Sequence, residues 1–382
     1  MINNCIICLG AGKSQLPIIL IAKKMGFYVI CIDRDAHSIG FSHAHKSIVI
    51  STYEVKLVID SIGKLQSKYN IIGVVARSSG PALYTAAAIA EFFKLPGLST
   101  NMITLATEKS SLRNHCETHN ISFPRGQKIN LSKHSQTKLN LPVIVKPDLP
   151  IVGKKDILVV TDKRKLQDAL SMASNSSFNG LVEVEEYIPG YDVGCLFKVT
   201  GNKSKIIALW DELVGVRQDH SIVGCGVSVP SVSIGTRAEK LIGELVQKFA
   251  LTLPKIEALL ILAFRIDRNG IPYIIELHAD LGGDLIADEL FPASDPSYNY
   301  FESCISIATN PSIELSVPSF QPAAILYRDI FINKSPISRQ VNIIKSESLS
   351  RLHSKIDHEF KNYDEKFHTK PLHSKLTYQK NI

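Results

Sequence analysis

The residues best placed to do chemistry sit where apolar strands run out. Leu141-Pro142-Val143-Ile144-Val145-Lys146-Pro147 is an apolar strand ending in a lysine. So apolar a strand is buried, and the ammonium at its end must reach water or an anion, because an unpaired buried charge is costly. Residues 181–192 form a strand that rises into a turn, with Glu183, Glu185, Glu186 and Asp192 around an apolar Tyr187-Ile188 step. Acids beside such a step suit an adenosine: a carboxylate accepts from the exocyclic amine, backbone groups read the ring edge, and a second carboxylate takes ribose hydroxyls. Ile274 to Asp284 closes a hairpin. Glu276 and His278 lie two apart in it, so both point to one face of a strand. Hard cations take carboxylate and phosphate oxygens together, and Gly282-Gly283 lets backbone approach a ligand closely.

Two motifs in the first half invite other chemistry. Gly10-Ala11-Gly12-Lys13-Ser14 falls short of a phosphate-cradling loop, because the glycine required five residues before Gly-Lys-Ser is Ile7. The dinucleotide pattern needs a third glycine, and that place is Gln15, although Asp33 ends the next strand as a ribose-binding acid would. The expectation is a tight strand-to-helix turn that binds no dinucleotide. Arg77-Ser78-Ser79-Gly80 follows a parallel strand at its carboxyl end, where open α/β sheets place ligands. Arg77 there could meet a substrate carboxylate bidentately.

The elements that must position these groups fall into two patterns. Apolar runs at 4–9, 27–32, 47–50 and 71–76 alternate with helical spacing at 14–25, 55–68 and 82–93. That alternation predicts a parallel sheet with helices on both faces. Beyond Ser99 come a helix over 104–120 and short strands at 142–146, 157–160, 181–187, 194–200 and 204–210. Helices are expected at 163–173 and 236–249, and a hairpin of 259–267 and 273–277 turns at Arg268-Asn269-Gly270. Mixed antiparallel strands with a few helices indicate α+β lobes. One strand, 323–330, precedes a polar, basic tail expected to be a solvated surface segment.

Composition bounds the rest. The chain has 382 residues, enough for two or three lobes. Its net charge of +7 is mild for that length, and no basic face marks a nucleic-acid reader. The seven cysteines lie mostly in apolar runs, and reduced, buried thiols fit a cytoplasmic protein. Cys5 and Cys8 point to opposite sides of one strand, which excludes a metal or redox pair. No apolar run reaches the ~20 residues of a membrane span.

In order and spacing, the strand-end lysine, acidic hinge, strand Glu and Gly-Gly resemble the ATP-grasp superfamily of carboxylate–amine or carboxylate–thiol ligases. The resemblance covers roughly residues 1–330. It implies an α/β and α+β fold: a Rossmann-like parallel-sheet domain over 1–100, then an ATP-grasp fold of two α+β lobes. These would be a small lobe with a flap over 101–190 and a large lobe over 191–330, followed by a basic extension over 331–382. It further implies that Lys109 and Lys146 bind ATP phosphates. Glu185 would take the adenine amine, Glu186 and Ile188 would offer backbone contacts, and Asp192 would hold the ribose. Glu276 would bridge Mg²⁺ (or Mn²⁺) to the phosphates, and Gly153 and Lys154 sit where the family has its flap. The implied reaction activates a small carboxylate as an acyl phosphate for attack by an amine, in an enzyme of a kind often homodimeric.

The chain departs from the family pattern at the metal. Ala263 stands where an acidic ligand is usual, Ile261 where some members carry a phosphate-binding Arg, His278 where Asn is usual, and Asp280 where the next Arg would be. Two accounts follow. In one the site is rebuilt: His278 or a nearby Asp joins Glu276 at the metal, Arg217, Arg265 or Arg328 supplies catalytic charge, and Arg77, Ser78, Ser79, Gly282 and Gly283 meet substrate. In the other the protein binds ATP without turning it over, as a regulator or scaffold.

Overall fold

The computed structural model describes residues 3–78, 80–133, 137–151, 155–216, 220–283, 285–332, 335–367 and 370–371. Elements run β1 (Asn4–Leu9), α1 (Leu16–Lys24), β2 (Tyr28–Asp33), β3 (Lys46–Val49), α2 (Val55–Gly63), β4 (Asn70–Ala76) and α3 (Pro81–Phe93). Next come α4 (Thr100–Thr107), α5 (Lys109–Thr118), β5 (Gly126–Ile129), β6 (Val143–Pro147), β7 (Leu158–Val160), α6 (Leu166–Asn175) and β8 (Val182–Glu186). Then follow β9 (Gly190–Gly201), β10 (Lys203–Val216), β11 (Ile222–Val229), α7 (Arg237–Thr252), β12 (Ile256–Asp267) and β13 (Pro272–His278). The chain continues through α8 (Phe291–Ser294), α9 (Tyr300–Thr309), β14 (Ala323–Ile332), β15 (Ser335–Lys345), α10 (Leu349–Phe367) and β16 (Lys370–Pro371).

The first four strands form a parallel sheet in the order β3-β2-β1-β4. Alternation of side chains along β1 feeds two layers. Cys5, Ile7 and Leu9 pack with α2 and α3 through Val58, Ile62, Leu83 and Ala87. Ile6 and Cys8 pack with Ile18 and Ile19 of α1 and Ile305 of α9. The two cysteines therefore face different layers, and burial pushes the Cys5 thiol up to about 12, which suits neither a ligand nor a nucleophile.

A four-stranded antiparallel sheet follows, in the order β5-β8-β6-β7, with α6 packed on it through Leu166, Ala169, Leu170 and Ala173. The third sheet, of eight strands, runs β13-β12-β9-β10-β11-β14-β15, with β16 beside β10. One face of it packs Val193, Phe197, Leu262 and Phe264 against α7 through Ile242, Val246 and Phe249. Among the described residues no helix is long and apolar enough to cross a membrane.

Three expectations are corrected. The helix expected over 104–120 is two helices, broken at Glu108, whose extended backbone (φ −95°, ψ 113°) ends α4 and begins α5. The helix expected over 55–68 ends at Gly63. Where it is described, the tail is not only a solvated segment: it folds back onto the large sheet through a strand and a helix. Strand β15 extends the large sheet along β14, and α10 buries Leu352, Ile356 and Phe360 against Cys225, Ala324 and Leu326. Their spacing of four is helical.

Candidate active site

A cleft opens between the four-stranded sheet and one face of the large sheet, where the ends of β6, β8, β12 and β13 converge. Ile144, Ile157, Ile188, Val214, Ile222 and Ile275 give it apolar walls. Its charged lining is Lys109, Lys146 and Arg265 against Glu185, Glu186, Asp192, Glu212 and Glu276. Acids outnumber bases five to three among the described residues of this lining, so this is a mixed cleft rather than a cationic one.

Pairing accounts for how these charges lie buried. Lys146 is 5% exposed, and its Nζ forms an ion pair with Glu185 Oε1 at 2.7 Å while donating to the Ile275 carbonyl at 3.5 Å. Register brings Lys146 opposite Glu183 and one step from Glu185, because Ile144 and Lys146 of β6 face Glu185 and Glu183 of β8. Glu183 is fully buried, and its Oε1 accepts from Arg113 Nε at 2.5 Å. Gly126 on the neighbouring strand makes room for that pair: a Cβ there would lie 2.5 Å from Arg113 Cδ and 2.6 Å from Glu183 Oε1. Burial, then Glu185, push the Glu183 carboxyl up to about 7 against the pull of Arg113 and Lys146.

The break at Glu108 sets the place of Lys109, the first residue of α5. The Lys109 and Ser110 amides donate to the Asp148 carbonyl (3.0 Å) and carboxylate (2.7 Å), which ties the helix start to the end of β6. From there Lys109 Nζ donates to Glu276 Oε1 at 2.9 Å. His278 Nε2 lies 3.6 Å from the other Glu276 oxygen, and its Nδ1 lies 3.9 Å from Asp280. Burial works against ionisation at Glu276, yet Lys109, His278 and Lys146 together hold its carboxyl well below the ordinary carboxylate range.

Cross-strand register places the remaining groups. Asp192 on β9 stands opposite Arg265 on β12 and Glu212 on β10. Arg265 Nη1 pairs with Asp192 at 2.8 Å, and its Nε donates to the Ile188 carbonyl at 2.8 Å. One cation thus ties the turn after β8 to the large sheet. Ala263 stands directly opposite Glu276, and Ile261 opposite His278. Glu186 Oε2 is met by Arg125 at 2.8 Å.

The structure therefore brings Lys109, Lys146, Glu185, Glu186, Ile188, Asp192, Arg265 and Glu276 to one cleft. It does not bring Arg77 there. That guanidinium forms a two-pronged pair with Asp288, with Nη1–Oδ1 at 2.8 Å, and lies over the Phe301 ring at 4.8 Å. The carboxylate that Arg77 meets here is one of the chain's own. Ser78 is half-buried beside it. Gly282 and Gly283 follow β13 outside the cleft lining, with the Gly282 amide donating to Asp280 at 3.2 Å. Ser79, Gly153, Lys154 and Arg217 lie outside the described residues, and Arg328 is described only by its backbone in β14. Sequence reasoning missed the structural parts played by Asp148, Arg113 and Glu183. The first two carry no local signal, whereas a carboxylate inside an apolar strand, as at Glu183, was one.

The glycine turn is filled. Gln15 lies against Gly10, 3.0 Å from where a Cβ would stand, and donates to the Arg77 carbonyl at 2.5 Å. Asp33 accepts from the Ala11 amide at 2.7 Å. The acid and one amide of the turn are thus paired with each other, and Gln15 lies against its first glycine.

Among the described residues, no group of three or more His, Cys, Asp and Glu is placed to hold a metal. Magnesium needs only one or two carboxylates when phosphates and water complete its shell. Glu276 supplies one and Ala263 none, so the donor set fits Mg²⁺ that arrives with phosphates, not a cage built by protein alone.

No protein-family model and no curated protein sequence matches the chain. Solved structures do. An L-amino acid ligase from Bacillus licheniformis superposes with a TM-score of 0.76 at 15% identity, over 94% of this chain and 97% of that one. N5-carboxyaminoimidazole synthetase from Staphylococcus aureus, complexed with ADP, gives 0.72 at 15% identity over 93% and 96%. A biotin carboxylase complex with an ATP analogue, from Campylobacter jejuni, gives 0.69 at 14% identity over 92% and 89%. With its parallel sheet, its antiparallel sheets and these neighbours, the chain has the ATP-grasp fold.

Proposed function

We propose that the protein is an ATP-dependent carboxylate–amine ligase. The observation that carries this reading is the meeting of Lys109, Lys146 and Glu276 in one cleft with apolar walls and an acidic strand edge. Solved neighbours include an L-amino acid ligase and a synthetase holding ADP. Adenine would lie between the isoleucines, with its amine on Glu185, the backbone of Glu186 and Ile188 at its edge, and the ribose on Asp192. Lys109 and Lys146 would exchange their carboxylate partners for phosphates. Glu276 would hold Mg²⁺ (or Mn²⁺), which when bound neutralises phosphate charge. The mixed lining makes that ion necessary, since a bare triphosphate would face more acids than bases.

A substrate carboxylate oxygen attacks the γ-phosphorus and ADP leaves. The amine nitrogen then attacks the acyl carbon, losing a proton as inorganic phosphate departs. Positioned cations and exclusion of water do this work; no covalent nucleophile is needed. The stretch around Gly153 and Lys154 is assigned as the flap, Arg217, Arg265 and Arg328 as sources of charge, and Arg77, Ser78, Ser79, Gly282 and Gly283 as substrate contacts, Arg77 by exchanging Asp288 for substrate. Lobes over 101–190 and 191–330 behind a domain over 1–100 remain our division of the chain.

Ala263 opposite Glu276 favours a second reading, a nucleotide binder without turnover. Phosphate release from ATP·Mg²⁺ across a panel of amino acids and small carboxylates, taken in pairs, separates the two. Pair-dependent release is expected. Tight nucleotide binding with no release supports the second reading, and absence of nucleotide binding contradicts both.

A further inference from the structure

A second cavity, of about 120 Å³, lies where the end of β4, α3 and α9 meet the start of β12 and the residues just past β13. It shares no lining residue with the cleft. Its walls are apolar and made of small side chains: Ala87 and Ala90 of α3, Ala308 of α9, and Leu259 and Leu281 opposite. The void exists because these helices present alanine where larger residues would close it. Its volume is comparable to the ~150 Å³ cavity that admits benzene in an engineered core.

One polar group breaks the apolar lining. Glu257, on β12, contributes to the wall, and its Oε2 is shut off from solvent without a hydrogen-bond partner among the described residues. A buried acceptor left without a donor costs free energy that an incoming donor recovers. Glu257 is half-buried as a residue and itself lines the void. Glu257, Leu259, Ile261 and Ala263 share one face of β12 by alternation. The carboxylate therefore stands about 20 Å along the strand from the Ala263 step, at ~3.3 Å per residue. That distance separates the cavity from the phosphate end of the cleft.

We propose that this cavity is a binding site for a small amphiphilic amine: a protonated amino group on Glu257, carried by an apolar body about the size of a benzene ring. The apolar walls supply most of the affinity and the carboxylate supplies the choice of amine over neutral isostere.

Calorimetric titration of the full chain with benzylamine and with benzyl alcohol tests this. Benzylamine is expected to bind at least about tenfold more tightly, a ratio that corresponds to about 1.4 kcal/mol. Glu257→Gln is expected to erase the preference, and Ala90→Leu, which fills the void, to remove binding of both. An excess of ADP·Mg²⁺, which the cleft would take, is expected to leave benzylamine binding unchanged. Should Ala90→Leu fail to fold, Ala308→Val serves for it. Equal binding of the two probes, binding of neither, a preference that survives Glu257→Gln, or displacement of benzylamine by ADP·Mg²⁺ each overturns the proposal.

Discussion

The turn at residues 10–15 and the cleft around Lys146 differ in a way that neither displays in sequence. The turn has the glycines, the following helix and the distant acid of a phosphate site, yet Asp33 takes its Ala11 amide and Gln15 lies against Gly10. The cleft has no compact motif. Its groups come from α5, β6, β8, β9, β12 and β13, and are paired in ways that a ligand can exchange. Glycines in a turn answer a need of the backbone first. Lysines and carboxylates gathered in one cleft carry a cost in desolvation that, on our proposal, a ligand offsets.

Breaking the cleft should cost most. Lys146→Ala leaves Glu185 and Glu183 buried without that cation, so unfolding free energy in urea is expected to fall by about 3 kcal/mol or more. ADP·Mg²⁺ affinity is expected to drop beyond measurement by calorimetry. A variant that binds nucleotide as the parent does would erase the contrast with the turn.

Glu183→Gln probes the same network through pH. The folded-state pKa of Glu183, about 7, is raised above its unfolded value near 4.5. Its contribution is therefore fully present below 4.5 and is lost as pH rises toward 7. The variant lacks that loss, so its stability relative to the parent is expected to climb across this window and level off above it. Thermal melts at a series of pH values give the difference, and a flat difference would show that Glu183 ionises freely.

At the turn, Asp33→Asn removes a charge-assisted bond to the Ala11 amide. It is expected to cost about 1 kcal/mol of stability with no change in nucleotide affinity. Weakened nucleotide binding in this variant would mean that the two regions were wrongly separated.

Ala263→Glu restores a second carboxylate opposite Glu276. It is expected to lower the Mg²⁺ concentration for half-maximal nucleotide binding about fivefold, or roughly 1 kcal/mol. No change would argue that the metal lies away from this pair of strands.

What was legible follows from where local pattern decides structure. The parallel sheet announces itself because β1, β2 and β4 are apolar runs between helices with clear spacing. The hairpin of β12 and β13 is announced by Asn269-Gly270. The fold of Glu108 is silent, since Thr107-Glu108-Lys109 has no glycine or proline, and the contacts of the Lys109 and Ser110 amides with Asp148 make the break. Strand β11 is interrupted by Gly224 and Gly226, which break the pattern in sequence, while pairing with β10 and β14 supplies its stability. Helix α10 hides its apolar stripe, Leu352, Ile356 and Phe360, among charged residues. Residues of the cleft were legible as types at strand ends. Their partners were not, because Arg265 with Asp192 and Lys109 with Glu276 depend on register and on a helix break. For the same reason the pairing of Arg77 could not be foreseen: Asp288 lies 211 residues away in sequence.

The central claim is that a nucleotide enters the cleft by taking Lys146 and Lys109 from their carboxylates. A structure of the full chain with a non-hydrolysable ATP analogue and Mg²⁺ tests it most directly. The account predicts both lysine Nζ atoms within hydrogen-bond reach of phosphate oxygens, the adenine between the isoleucine walls, and the ion on Glu276. An analogue seated at the glycine turn, or in the cleft with the Lys146–Glu185 and Lys109–Glu276 pairs intact, would contradict it.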